Sequence, residues 1–110
     1  MVIMLLRRPF DLIYAPVTRE HLRAIETRYH SLIRSTIEAQ LRSQPDVETR
    51  NRKPLKRPTV LGGDWEIRFG PNNRFRVFYA VNRESNEVYI LVIGEKRANR
   101  LLIGGQEVEL

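Results

Sequence analysis

Three strand-forming runs crowd into thirty consecutive residues of this chain: WEIRFG at 65–70, RFRVFYAVN at 74–82 and EVYILVIG at 87–94. The first two place apolar side chains at every second position, the period of a strand with one buried face, and the third is a nearly continuous apolar run. The gaps between them, PNN and RESN, are short and built from turn formers. Runs joined so tightly pair antiparallel, so the second half of the chain must be a meander.

The first half has a different period. Residues 10–15, FDLIYA, alternate Phe10, Leu12 and Tyr14 with Asp11 and Ile13 between Pro9 and Pro16, which predicts a short first strand. Thr18 offers a helix N-cap, followed by Leu22, Ala24 or Ile25, and Tyr29 at helical spacing. Leu32, Ile33, Ile37 and Leu41 then predict the apolar face of a further helical stretch that ends before Pro45. No glycine interrupts residues 17–44, so one long helix competes with two antiparallel helices broken near residues 27–31; the hairpin is favoured. With 110 residues the chain has the length of one domain, residues 1–110. A strand, two helices and then a run of strands imply an α+β domain with the helices on one face of a mostly antiparallel sheet. NRLLIGGQEVEL at the end predicts a terminal hairpin, with a helical turn at 96–102 as the alternative.

Residues 46–64 carry two prolines, two glycines and five basic side chains, and predict an ordered connector without regular structure, anchored by Leu55, Val60 and Leu61. Here the charge is also concentrated. Across the chain 19 basic residues face 13 acidic ones, a net charge of +6. Residues 50–76 hold eight basic side chains (Arg50, Arg52, Lys53, Lys56, Arg57, Arg68, Arg74, Arg76) against Asp64 and Glu66 alone. Strand alternation sets Trp65, Ile67, Phe69, Phe75, Val77, Tyr79 and Val81 on one face. The opposite face receives Glu66, Arg68, Arg74, Arg76 and Phe78, with Arg68 and Arg76 on neighbouring strands. Arginines on a half-exposed sheet are often no more than a solvated surface. A solvated surface usually mixes its signs, however, and this imbalance favours a polyanion or an acidic peptide as partner.

Other chemistry finds little support. The absence of cysteine excludes disulfides and thiolate metal sites and suits a cytoplasmic protein. His21 and His30 lack carboxylates at ligand spacing, so no metal or other cofactor is expected. Gly62, Gly63, Gly104 and Gly105 lie outside any phosphate-loop pattern and read as turns. The apolar start, MVIMLL, precedes its charges at Arg7 and Arg8 instead of following them, so no signal peptide and no membrane span are predicted.

The segments KPL at 53–55, GDWEIRFG at 63–70, FRVFYAVN at 75–82 and VYILVIGEKR at 88–97 together resemble the RelE/ParE superfamily of toxin–antitoxin toxins. The resemblance implies an N-terminal strand and two-helix hairpin on a curved sheet of about four to five strands. It implies a type II toxin that inhibits translation by cleaving mRNA at the ribosome, with DNA gyrase as the alternative target. A non-toxic domain of the same fold that only binds nucleic acid or an antitoxin is a third reading. The partner it implies is an acidic, partly disordered antitoxin. Carried over by position, Arg76 would clamp the scissile phosphate, Arg68 would add a second basic group, and Lys96 or Arg97 would supply the C-terminal one. Arg50, Arg52, Lys53, Lys56, Arg57 and Arg74 would extend the contact with RNA. The sequence departs from the family's nucleases near its C-terminus, where Glu95, Leu101 and Leu102 stand in place of His or Tyr. Glu66 or Glu95 could serve as the missing base, or either could be a structural partner for a neighbouring arginine.

Overall fold

The computed structural model describes residues 8–57 and 62–109. In chain order they form β1 (Asp11–Tyr14), α1 (Thr18–Arg23), a 3₁₀ turn (Thr27–Tyr29), α2 (His30–Leu41), β2 (Arg52–Pro54), β3 (Trp65–Phe69), β4 (Phe75–Asn82), β5 (Glu87–Arg97), β6 (Arg100–Ile103) and β7 (Gln106–Val108). The strands form one sheet in the order β2-β3-β4-β5-β6-β7, with β1 pairing parallel to β5. The expected α+β architecture is present, but the sheet has seven strands where four to five were expected. The additional strands are short edge segments. β2 lies within the stretch read as an irregular connector and spans three residues, too few for any hydrophobic period to register. The terminal hairpin forms as β6 and β7, and β5 runs on through Arg97, so the alternative helical turn does not occur. Val60 and Leu61, and the chain's first seven residues, lie outside the described residues.

The β4–β5 pair is the spine. Its register runs from Phe75↔Glu95 to Asn82↔Glu87 and slips by one residue between Phe78 and Tyr79, which oppose Val92 and Ile90 and leave Leu91 as a bulge. The other edge of β5 is shared, with β1 on residues 87–90 and β6 on residues 94–97. In the gap between them the Ile93 N–H donates to Nδ1 of His21 on α1 at 3.2 Å. His21 is buried and ties the helix to the sheet by satisfying this amide.

One face of the sheet packs on the helices. Ile33, Ile37 and Leu41 of α2 are fully enclosed with Ile67, Phe75, Val77, Tyr79, Val88 and Ile90. Leu32, placed on the same helical stripe by its spacing, is exposed instead. Thr18 does not cap α1; it is the first helical residue, and its hydroxyl donates to the Ala15 carbonyl at 2.7 Å. The outer face is not purely polar. Phe78, Val92, Leu101 and Ile103 form a second buried cluster there, with Leu55, Leu91 and Val108 against it.

The connector from α2 to β2 is held by three polar links. Tyr79 Oη donates to the Pro45 carbonyl, Arg83 grips Asp46 with two N–H groups, and Arg52 turns inward. Arg52 is 4% exposed, and its guanidinium donates to Gln40 Oε1 in the last turn of α2 and to the carbonyls of Gln44 and Val47 just past the end of that helix, where the helix dipole favours a cation. Arg52 was expected to bind RNA; this enclosure makes it a structural clamp.

Arg52→Ala should therefore destabilise the fold by about 3 kcal/mol through stranded acceptors, measured by urea unfolding. His21 predicts a pH effect. Burial lowers its pKa below the ordinary 6.5, so the unfolded chain takes up a proton first as pH falls. Stability should be full above pH 6.5 and decline progressively below it, and His21→Gln should remove that part of the decline.

Candidate nucleic-acid interface

Strand register lays the outer face out in rows. One row runs Arg68, Arg76, Gly94, Ile103, Gln106 across β3 to β7, and the next runs Lys53, Glu66, Phe78, Val92 across β2 to β5. Arg68 and Arg76 are directly opposed, on strands about 4.8 Å apart, a pairing of like charges that ordinarily destabilises a sheet. Glu66 offsets it. Two residues along β3 on the same face, its carboxylate accepts a hydrogen bond from Arg68 Nε.

Among the described residues Arg76 has no hydrogen-bond or ion-pair partner. It is half-buried, and its Nε is enclosed without any hydrogen bond. Burial is the main influence lowering its pKa from the ordinary arginine value; the Arg68 charge adds to this, and Glu66 opposes it. Gly94 explains how apolar surface comes so close to this side chain. A Cβ there would lie 3.1 Å from Leu101 Cδ1 and 3.3 Å from Ile103 Cγ1, so the glycine lets both side chains pack close over β5, and a larger residue would push them back by a few tenths of an ångström. A guanidinium in this setting is poorly hydrated and acts on an anion through a lower dielectric than an exposed one.

The structure divides the other expected site residues among different surroundings. Lys53 faces outward beside Glu66 and pairs with Glu48 at 3.6 Å. Arg50 is exposed in a groove with Thr36, Gln40, Asn51 and Arg68, while Lys56 and Arg57 are exposed on the connector. Arg74 leaves the outer face altogether. Its backbone is helical (φ −62°, ψ −34°), so strand alternation does not apply, and its guanidinium turns to the helix side. There it binds Glu95, donates to Tyr29 Oη at 3.2 Å, approaches Glu26 at 3.5 Å and lies over the Tyr29 ring. Arg97 joins this network at 3.3 Å from the other oxygen of Glu95. Lys96 projects to the outer face opposite Leu101. The four residues carried over as catalytic are thus split: by register Arg68, Arg76 and Lys96 belong to one face and Arg97 to the other, although Lys96 and Arg97 meet at the end of β5, where both line a pocket with Arg74.

Sequence alternation missed two features. The bulge at Leu91 moves Glu95 to the helix side, and no residue type in EVYILVIG marks it. The apolar cluster on the outer face is assembled from one or two residues of each strand from β4 to β7, too few on any one strand to show as a pattern, although Phe78 among the polar positions of β4 was a trace of it. Among the described residues, no three His, Cys, Asp or Glu side chains are grouped to hold a metal ion, and no helix is long and apolar enough to cross a membrane. The arrangement can bind a phosphodiester: a half-buried guanidinium whose Nε has no hydrogen-bond partner and a second guanidinium opposite it, with Glu66 beside them and Glu107 and Glu109 on the rim of the pocket next to Arg76 as the nearby negative charges.

No protein-family model and no curated protein sequence matches the chain. The fold is similar to that of a chain in the crystal structure of the toxin–antitoxin complex RelBE2 from Mycobacterium tuberculosis. The TM-score is 0.66 at 23% identity, covering 83% of this chain and 95% of that one.

The two classes of arginine should separate in stability measurements. Arg74→Ala, which strips a partner from the buried Glu95 carboxylate, should cost about 1–2 kcal/mol in chemical denaturation. Arg76→Ala should be neutral or slightly stabilising, since it removes an unpaired, partly buried charge facing Arg68.

Proposed function

We propose that this chain, whose fold is RelE-like, is the toxin of a type II toxin–antitoxin pair and inhibits translation by cleaving mRNA at the ribosome. Arg76 carries the reading: a half-buried guanidinium with an unsatisfied Nε, opposite Arg68 on a face that also presents Lys53 and Lys96. Cleavage by attack of a ribose 2′-hydroxyl on the adjacent phosphate adds negative charge to the phosphoryl oxygens. A desolvated cation already in position stabilises that charge with little reorganisation. Arg68 binds the same phosphate or its neighbour, and the exposed Arg50, Lys56 and Arg57 lengthen the contact along the strand. The acidic antitoxin would neutralise this face, as the polyanion does.

Purified protein added to a cell-free translation reaction should produce discrete mRNA cuts by primer extension, and Arg76→Ala should slow them by about 10²–10³-fold, the usual loss for a preorganised charge-stabilising group. Intact mRNA with inhibited DNA supercoiling would instead establish the gyrase reading. Intact mRNA and unimpeded supercoiling would leave a binding domain of the same fold.

A further inference from the structure

We propose that Glu66 is the general base of this site, uncovered when a substrate phosphate draws Arg68 away from it; the inference rests on the ribonuclease reading above. Both Glu66 and Glu95 have a composition-level claim to the role, and the structure separates them. Glu95 is 2% exposed on the helix side, with one carboxylate oxygen on Arg74 and the other on Arg97. It has no free oxygen and lies on the face opposite Arg76. Glu66 lies on the same face as Arg68 and Arg76, in the row beside them, and its charge reaches Arg76. Only one of its oxygens, Oε1, accepts a hydrogen bond, from Arg68 Nε. The other takes none among the described residues.

Glu66 is itself 7% exposed, and the guanidinium hydrogen-bonded to it belongs to Arg68, whose side chain is 47% exposed. A phosphate dianion or phosphodiester at Arg76 competes with Glu66 for that guanidinium, because two arginines opposed across a strand pair can grip one phosphate together. Movement of Arg68 onto the phosphate frees Glu66 Oε1 beside the same phosphate. The base is thus covered without substrate and exposed with it.

The step then balances. Glu66 accepts the proton of the 2′-hydroxyl as the 2′-oxygen forms its bond to phosphorus; the bond from phosphorus to the 5′-oxygen breaks, and that oxygen takes a proton from water. The products are a 2′,3′-cyclic phosphate and a 5′-hydroxyl, and Glu66 returns its proton to solvent. Arg68 and Arg76 hold the added negative charge throughout.

The test uses the full chain in the primer-extension reaction, together with binding of a short RNA oligonucleotide. Glu66→Gln should lower the cleavage rate at least 100-fold, in the range expected for loss of a general base, while changing oligonucleotide affinity less than about threefold. The wild-type rate should rise with pH on the acid side, and Glu66→Gln should lose that rise, a change that a purely structural role would not produce. Glu66→Asp, which keeps the carboxylate, should retain the pH dependence at about a tenth of the rate and carries the test if Glu66→Gln does not fold. Cleavage by Glu66→Gln within threefold of wild type, or loss of the pH dependence in a folded Glu66→Asp, overturns the assignment while leaving the ribonuclease reading intact. A wild-type protein that cuts no RNA overturns both.

Discussion

The single-residue slip at Leu91 in the β4–β5 ladder governs most of what this molecule can do. Every other strand attaches to that pair directly or through a neighbour, and a one-residue offset sends all following side chains to the opposite face. Ahead of the slip, Val88 and Ile90 pack on the helices; beyond it, Ile93 and Glu95 do, and Gly94 and Lys96 turn outward. Gly94 comes to lie opposite Arg76, where its lack of a side chain admits Leu101 and Ile103. Glu95 is delivered to Arg74 and Arg97. Without the offset the carboxylate would turn to the outer face that carries Arg76 and offset its positive charge.

The arginines of this basic chain fall into those used by its own architecture and those left without a hydrogen-bond partner within the described fold. Arg52 and Arg74 belong to the first class: one satisfies carbonyls at the end of α2, the other compensates a buried carboxylate and lies against Tyr29. Arg83, bidentate on Asp46, does similar work near the surface. Arg76 belongs to the second class. The difference lies in the partners each guanidinium finds within the fold: Nη1 and Nη2 of Arg52 reach three acceptors although its Nε has none, whereas Arg76 Nε is enclosed without a partner and no other atom of its guanidinium is paired among the described residues.

Much of the architecture was legible in the chain. The two periods, helical before residue 44 and alternating after 65, reflect which side chains must leave water, and they locate β3 and β4 to within a residue, α2 by its apolar face, and β5 except for its last three residues. The short strands β2, β6 and β7 were less visible or only partly so, because three or four residues carry too little pattern to outweigh turn chemistry. At the site, alternation correctly paired Arg68 with Arg76 and failed for Arg74, whose backbone is not extended.

By itself the sequence determined the α+β class, the pairing of the central strands and a surplus of positive charge on one sheet face. These follow from hydrophobic period and local turn preference, which act over a few neighbouring residues. Only the tertiary structure decided which charges are available. Whether an arginine is a clamp within the fold or a free cation depends on carbonyls and carboxylates brought to it from distant segments: Gln40 and Gln44 to Arg52, Glu95 to Arg74, and none to Arg76 Nε. Such partners are a property of packing, and no pattern in the neighbouring residues encodes them.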